Sequence, residues 1–163
     1  MDIIDEIQKA RQTLINIINE NFDSMILKLK NQNSNDGVVN TERIIPLALD
    51  SVLLKGTKPI AVLFGEERID TTTWKKVFTV ILSRCNQCSQ YHNTLMELRG
   101  RLAGQVRVFL SDTPDSMKRP VKIDEEMYAE THYGAETLMH ILKNRILNPI
   151  NYDYSNINIV LKT

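Results

Sequence analysis

Residues 58–82, KPIAVLFGEERIDTTTWKKVFTVIL, write a strand, a turn, a returning strand and a helix into one short stretch, and the rest of the chain reads as partners for that unit. Pro59 opens an unbroken apolar run, 60–64, of the kind found inside a sheet. Gly65, Glu66 and Glu67 supply a turn, and Arg68, Ile69 and Asp70 return the chain as a hairpin. Thr72 or Thr73 then caps a helix, its hydroxyl accepting from a free backbone N–H. Trp74, Val77, Phe78, Ile81, Leu82 and Cys85 share one face of that helix, which makes it the central packing element. With Trp74 buried there, its truncation to alanine is expected to cost roughly 3–5 kcal/mol.

Toward the N-terminus, Ile44, Ile45, Leu47, Leu49, Val52 and Leu53 are interrupted by Pro46 and followed by Gly56. That pattern predicts extended chain docking apolar side chains on the core, with a short helix over 48–54 as the competing reading. Residues 31–40, NQNSNDGVVN, offer turn chemistry and little to bury, and read as a linker. Before it, Ile3, Ile7, Ala10, Leu14, Ile18, Phe22, Met25 and Leu29 recur at spacings of three or four, which predicts an amphipathic helix over 2–30. Asp2, Asp5 and Glu6 begin it and Lys28 and Lys30 end it, as the helix dipole favours. Gln8, Gln12, Asn16, Asn19 and Glu20 make the other side polar, so one stripe needs cover. Pairing with a second copy through Ile3, Ile7, Leu14 and Ile18 is the favoured expectation, although Ala10 and Asn21 weaken a strict seam. Folding back onto its own domain is the alternative.

Toward the C-terminus, the Trp74 helix is expected to reach about residue 90, with a shorter one carrying Leu95, Met96, Leu98 and Leu102. Val106, Val108 and Leu110 alternate with Arg107 and Phe109 as in a half-buried strand. After the loop 111–120, short strands are expected at Val121 and Ile123 and over 127–133. Residues 135–147 form a helix with Leu138, Ile141, Leu142, Arg145 and Ile146 on one face, ended by Pro149, and Ile157, Ile159 and Leu161 mark a last strand. The predicted fold class is α+β: a mostly antiparallel sheet with helices packed on one side, preceded by a long N-terminal amphipathic helix. Residues 1–30 are the helix and dimerisation element, 31–43 the linker and 44–163 the α+β domain.

The 163 residues balance twenty Lys and Arg against twenty Asp and Glu. A protein that coats nucleic acid relies on excess positive charge, so that class is disfavoured as the main role. The N-terminus lacks the basic start and unbroken apolar run of a secretory signal, no window has the apolar length of a membrane span, and two cysteines three positions apart make no disulfide framework. A cytoplasmic protein is expected.

Lys55-Gly56-Thr57-Lys58-Pro59 ahead of the strand, Thr73-Trp74-Lys75 opening the helix, Arg119-Pro120, Tyr128-Ala129-Glu130-Thr131 and Tyr154-Ser155-Asn156-Ile157 follow one another in order. Over about residues 44–161 this series resembles an uncharacterised module of bacterial proteins, including some carried by phages and other mobile elements or found near DNA restriction systems. The resemblance implies a context, inhibition or support of host DNA processing or defence, and no catalytic residues.

Three constellations carry candidate chemistry. Cys85, Cys88 and His92, as C-x2-C-x3-H on a continuous helix, would share a face and approach one metal ion, with His132 or His140 needed as a fourth ligand. Packing cysteines and a surface histidine are the favoured reading. Asp124, Glu125, Glu126, Glu130 and His132, with Lys122, suggest the carboxylates of a metal-dependent hydrolase, but match no nuclease spacing. Lys75, Arg107, Arg119 and Lys122 are candidate contacts to phosphates or to a protein partner, if they converge. No nucleophile elbow, phosphate-cradling glycine loop or other cofactor signature is present in the sequence. The favoured function is therefore a non-enzymatic module that binds another macromolecule, most readily a protein, with a nucleic-acid-binding regulator and a metal-dependent hydrolase as alternatives.

Overall fold

The computed structural model of the protein describes residues 3–32, 42–103 and 107–162. The chain divides into two units, Met1–Val39 and Asn40–Thr163. In the first, helix α1 spans Ile3–Gln32, with Asp5 and Glu6 in its first turn. The linker reading over 31–43 falls largely outside the described residues.

In the second unit the interrupted apolar segment resolves into both of its expected forms. Strand β1 (Glu42–Pro46) comes first, and a 3-10 turn, Ser51–Leu54, follows with Asp50 accepting from Val52 N. The hairpin forms as read, with β2 (Lys58–Phe64) antiparallel to β3 (Glu67–Asp70). Gly65 closes it at φ +62°, a conformation that disfavours any residue with a Cβ. Thr73 caps helix α2 (Trp74–Gln87), its hydroxyl accepting from Lys76 N at 3.1 Å. Val77, Phe78, Ile81, Leu82 and Cys85 are fully buried on one face. Trp74 is only half-buried and donates its indole N–H to the Thr57 carbonyl at 3.0 Å, so it seals the edge of the core.

Helix α2 stops sooner than its periodicity suggests. Cys88 is extended (φ −81°, ψ 113°), and α3 (Ser89–Glu97) begins anew after it. Leu102, expected in the second helix, instead lies in β4 (Leu102–Ala103), because Gly100 at φ +81° turns the chain and donates to Leu110 O at 2.8 Å. The strand expected around Val108 is split. β5 (Arg107–Val108) pairs with β4, whereas β6 (Leu110–Ser111) pairs elsewhere, and Val106 lies outside the described residues. Phe109, expected on the polar side, is buried at the junction, where its carbonyl accepts from Glu130 N at 3.0 Å. The segment changes partners at Phe109, so alternation along it breaks.

Strands β7 (Pro120–Asp124) and β8 (Met127–Glu130) form the next hairpin. Helix α4 covers Ala135–His140 and passes without interruption into a π-helix, Ile141–Leu147, marked by Asn148 N donating to Lys143 O at 2.8 Å. The wider turn rotates the buried face, so Lys143 goes inside and Arg145, expected on the apolar face, stays exposed. The last strand, β9 (Ile157–Lys162), inserts between β1 and β2.

The result is a mixed α+β unit with antiparallel sheets and helices packed against them. Among the described residues the β-structure is divided among three sheets, ordered β1-β9-β2-β3, β4-β5 and β6-β8-β7, where a single sheet was expected. The helices and the Gly100 reversal separate the first hairpin from the later strands, and among the described residues only β9 returns to it. One core joins Val62 and Ile159 of the first sheet, α2, α4 and Met127 and Ala129 of the third. Among the described residues no helix is long and apolar enough to cross a membrane.

Candidate functional site

Helix α1 carries the least expected surface. Ile3, Ile4, Ile7, Leu14 and Ile18 are each more than half exposed, and Ile15 is 38% exposed. Folding normally buries side chains of this size, and contiguous exposed apolar patches mark interaction sites. Gln12 donates to Asn16 Oδ1 at 3.1 Å and Thr13 to Lys9 O at 2.9 Å, so these polar groups are satisfied within the helix. The second unit has a smaller apolar set at Ile44, Val52 and Leu53, also more than half exposed.

Glu130, a candidate metal ligand by sequence, serves a different purpose. Its buried carboxylate accepts from the backbone N–H of Lys118 (2.6 Å), Arg119 (3.0 Å) and His132 (2.8 Å). Burial alone would raise its pKa, but these backbone donors outweigh it and hold the carboxyl below its ordinary value. Two of these bonds pin Lys118 and Arg119 of the 112–119 loop to β8, and both carboxylate oxygens are engaged. Thr131 adds a hydroxyl bond to Arg119 O at 2.7 Å. Beside this knot lies an open cleft of about 260 Å³, lined by Arg119, Thr131, His132, Tyr133 and Gly134.

Asp124 and Glu126 regroup around His92. Asn86, buried on α2, donates its amide to Asp124 Oδ2 at 2.5 Å, so its own oxygen must face His92 Nδ1, 2.9 Å away. A carboxylate accepts and does not donate, which fixes the amide orientation and places the His92 proton on Nδ1. The Nε2 atom is left toward Glu126, 3.8 Å from its carboxylate. Asp124 also accepts from Glu126 N at 2.8 Å. Burial raises its pKa, but the bonds from Asn86 and Glu126 prevail and lower it. This Asp–Asn–His chain orients an imidazole. The break at Cys88 makes it possible, and a continuous-helix reading of C-x2-C-x3-H hides it.

That same break separates the cysteines. Cys85 is buried, its thiol pushed up to about 12 by burial and the neighbouring Cys88, while Cys88 is exposed. Among the described residues no three His, Cys, Asp or Glu side chains are arranged to hold a metal ion. Of the candidate basic contacts, Lys75 is exposed in the first turn of α2 and Arg119 is exposed just before β7. Lys122 is ion-paired with Glu125 at 2.7 Å, and the Arg107 side chain lies outside the described residues. Lys143, which the sequence reading did not single out, donates to the Leu49 carbonyl, and burial lowers its pKa against the opposing pull of Asp50. A shallow groove of about 490 Å³ on the outer side of α2 runs past Ile69, Lys76, Val80 and Arg84. Arg84 is occupied there, paired with Glu67 at 2.5 Å and stacked 4.5 Å over Phe64.

Comparison with known proteins yields no match, whether with family models, curated proteins or solved structures.

Proposed function

We propose that the protein is a cytoplasmic, non-enzymatic macromolecule-binding module that associates with a second copy of itself through the amphipathic helix α1. The observation that carries this reading is the exposed run of Ile3, Ile4, Ile7, Leu14, Ile15 and Ile18 on a helix of 30 residues. Burying one such side chain contributes about 1.5–3 kcal/mol, so leaving six in water is costly unless a partner covers them. The engagement of Glu130 by backbone donors weakens the hydrolase alternative, since its carboxylate already has a structural task. The resemblance over residues 44–161 supports a specific form of the reading, a phage or mobile-element inhibitor or accessory of host DNA processing or defence, acting on a protein partner through the α+β unit.

The test is affinity capture from the producing cell with the full chain, followed by mass spectrometry and repeated in 50 and 200 mM salt. Recovery of a defined protein at both salt concentrations supports the binding module. Capture of nucleic acid that is lost steeply between the two would point instead to a nucleic-acid-binding regulator. Turnover of a defined substrate with no partner recovered would overturn the reading.

A further inference from the structure

Within α1 nine of the apolar residues obey a stricter rule than a spacing of three or four, while Ala10, Ile17, Phe22 and Leu27 fall outside it. Ile3, Ile4 and Ile7 recur eleven residues later as Leu14, Ile15 and Ile18, and again as Met25, Ile26 and Leu29. All nine positions are large and apolar. Eleven residues complete very nearly three helical turns, at ~3.67 residues each, so the triplets stack into one seam with little drift around the helix. A helix lying on a globular surface needs an apolar stripe but no repeat of fixed length. A second helix of the same pitch presents its side-chain layers at the same interval. The helix is about 45 Å long, and the repeat runs almost its full length.

Charge selects the orientation. Asp5 and Glu6 lie in the first turn of α1, and Lys28 and Lys30 are placed by the sequence near its end. Parallel copies set acid beside acid and base beside base, whereas antiparallel copies bring acid to base. An antiparallel register centred on Asn16 sets Ile3 against Leu29, Ile7 against Met25 and Leu14 against Ile18. The same register places Arg11 opposite Asn21, a matched polar layer that favours this alignment, and sets Ile4 and Ile26 beside Lys28 and Glu6 at the two ends.

We infer that α1 pairs with α1 of a second copy as an antiparallel seam of eleven-residue pitch, centred on Asn16. This rests on the reading that α1 is a self-association surface. It is tested in the full chain carrying Cys88→Ser, with a spin label attached at Lys9→Cys or, separately, at Asn16→Cys. Both positions lie on the polar side of the helix. In the antiparallel pair the Asn16 labels have no axial offset, and the Lys9 labels are displaced by about 21 Å along the axis, so the Lys9 distance is the longer. Equal distances at the two positions, in a species that sediments as a pair, would overturn the orientation and leave self-association standing. A species that sediments as one chain, with no inter-copy distance at either position, would overturn both.

Discussion

Glu130 is buried yet ionised because three backbone N–H groups replace the water it has lost. Glu130→Gln puts an amide donor among those donors, and is expected to cost about 3 kcal/mol at neutral pH by denaturant titration. The pH dependence follows from the direction of the shifts. Glu130 and Asp124 both have folded pKa values below the ordinary 4.5 and 3.8, so each binds a proton less readily when folded. Their stabilisation is complete above those ordinary values and drains away as pH falls through the lower folded ones. The deficit of Glu130→Gln should therefore shrink on acidification, and a deficit constant from pH 7 to pH 2 would contradict the assignment. At His92, nitrogen NMR of the neutral ring should show the proton on Nδ1, and a proton on Nε2 would mean the Asn86 amide is turned the other way. Of the two thiols, Cys88 should alkylate in the native protein at pH 8 and Cys85 only on unfolding, as peptide mass spectrometry would show. Residue types alone could nominate His92, Asp124 and Glu130, but not sort them. Whether a carboxylate faces a metal, an amide or the backbone depends on the break at Cys88 and on the path of a loop.

Among the elements, those fixed by local pattern were legible. The hairpin, the Thr73 cap and the buried face of α2 follow from turn residues and a spacing of three or four. The weight carried by each residue was less so. Trp74 sits at the rim, so Trp74→Phe is expected to lose little beyond its bond to Thr57 O, about 1 kcal/mol. Phe78→Ala, in the fully buried stripe, should cost about 3–5 kcal/mol, and thermal denaturation of the two variants would rank them. The reverse order would mean that the rim carries more than the centre. The π-helix is not legible because its sequence keeps an α-helical apolar period, whereas the bond from Asn148 N to Lys143 O spans the wider turn. The strand around Phe109 departs from simple alternation because periodicity describes one partner, and this segment has two.

For the whole molecule, the α+β class was readable from the alternation of patterns, while the division into three sheets was not. Which strands pair depends on long-range returns, above all that of β9 between β1 and β2, which no local window contains. The N-terminal helix poses the opposite case: its stripe was plain in the sequence, and the structure leaves those side chains exposed. The proposed self-association of α1 would cover those side chains. The most direct test is sedimentation equilibrium of the full chain over a hundredfold concentration range, beside the double variant Ile7→Asp/Ile18→Asp. The wild-type chain is predicted to sediment at twice the mass of one chain at high concentration and the variant as a single chain, with its circular dichroism melting transition for the α+β unit retained. A wild-type chain that stays single across the whole range would contradict the account.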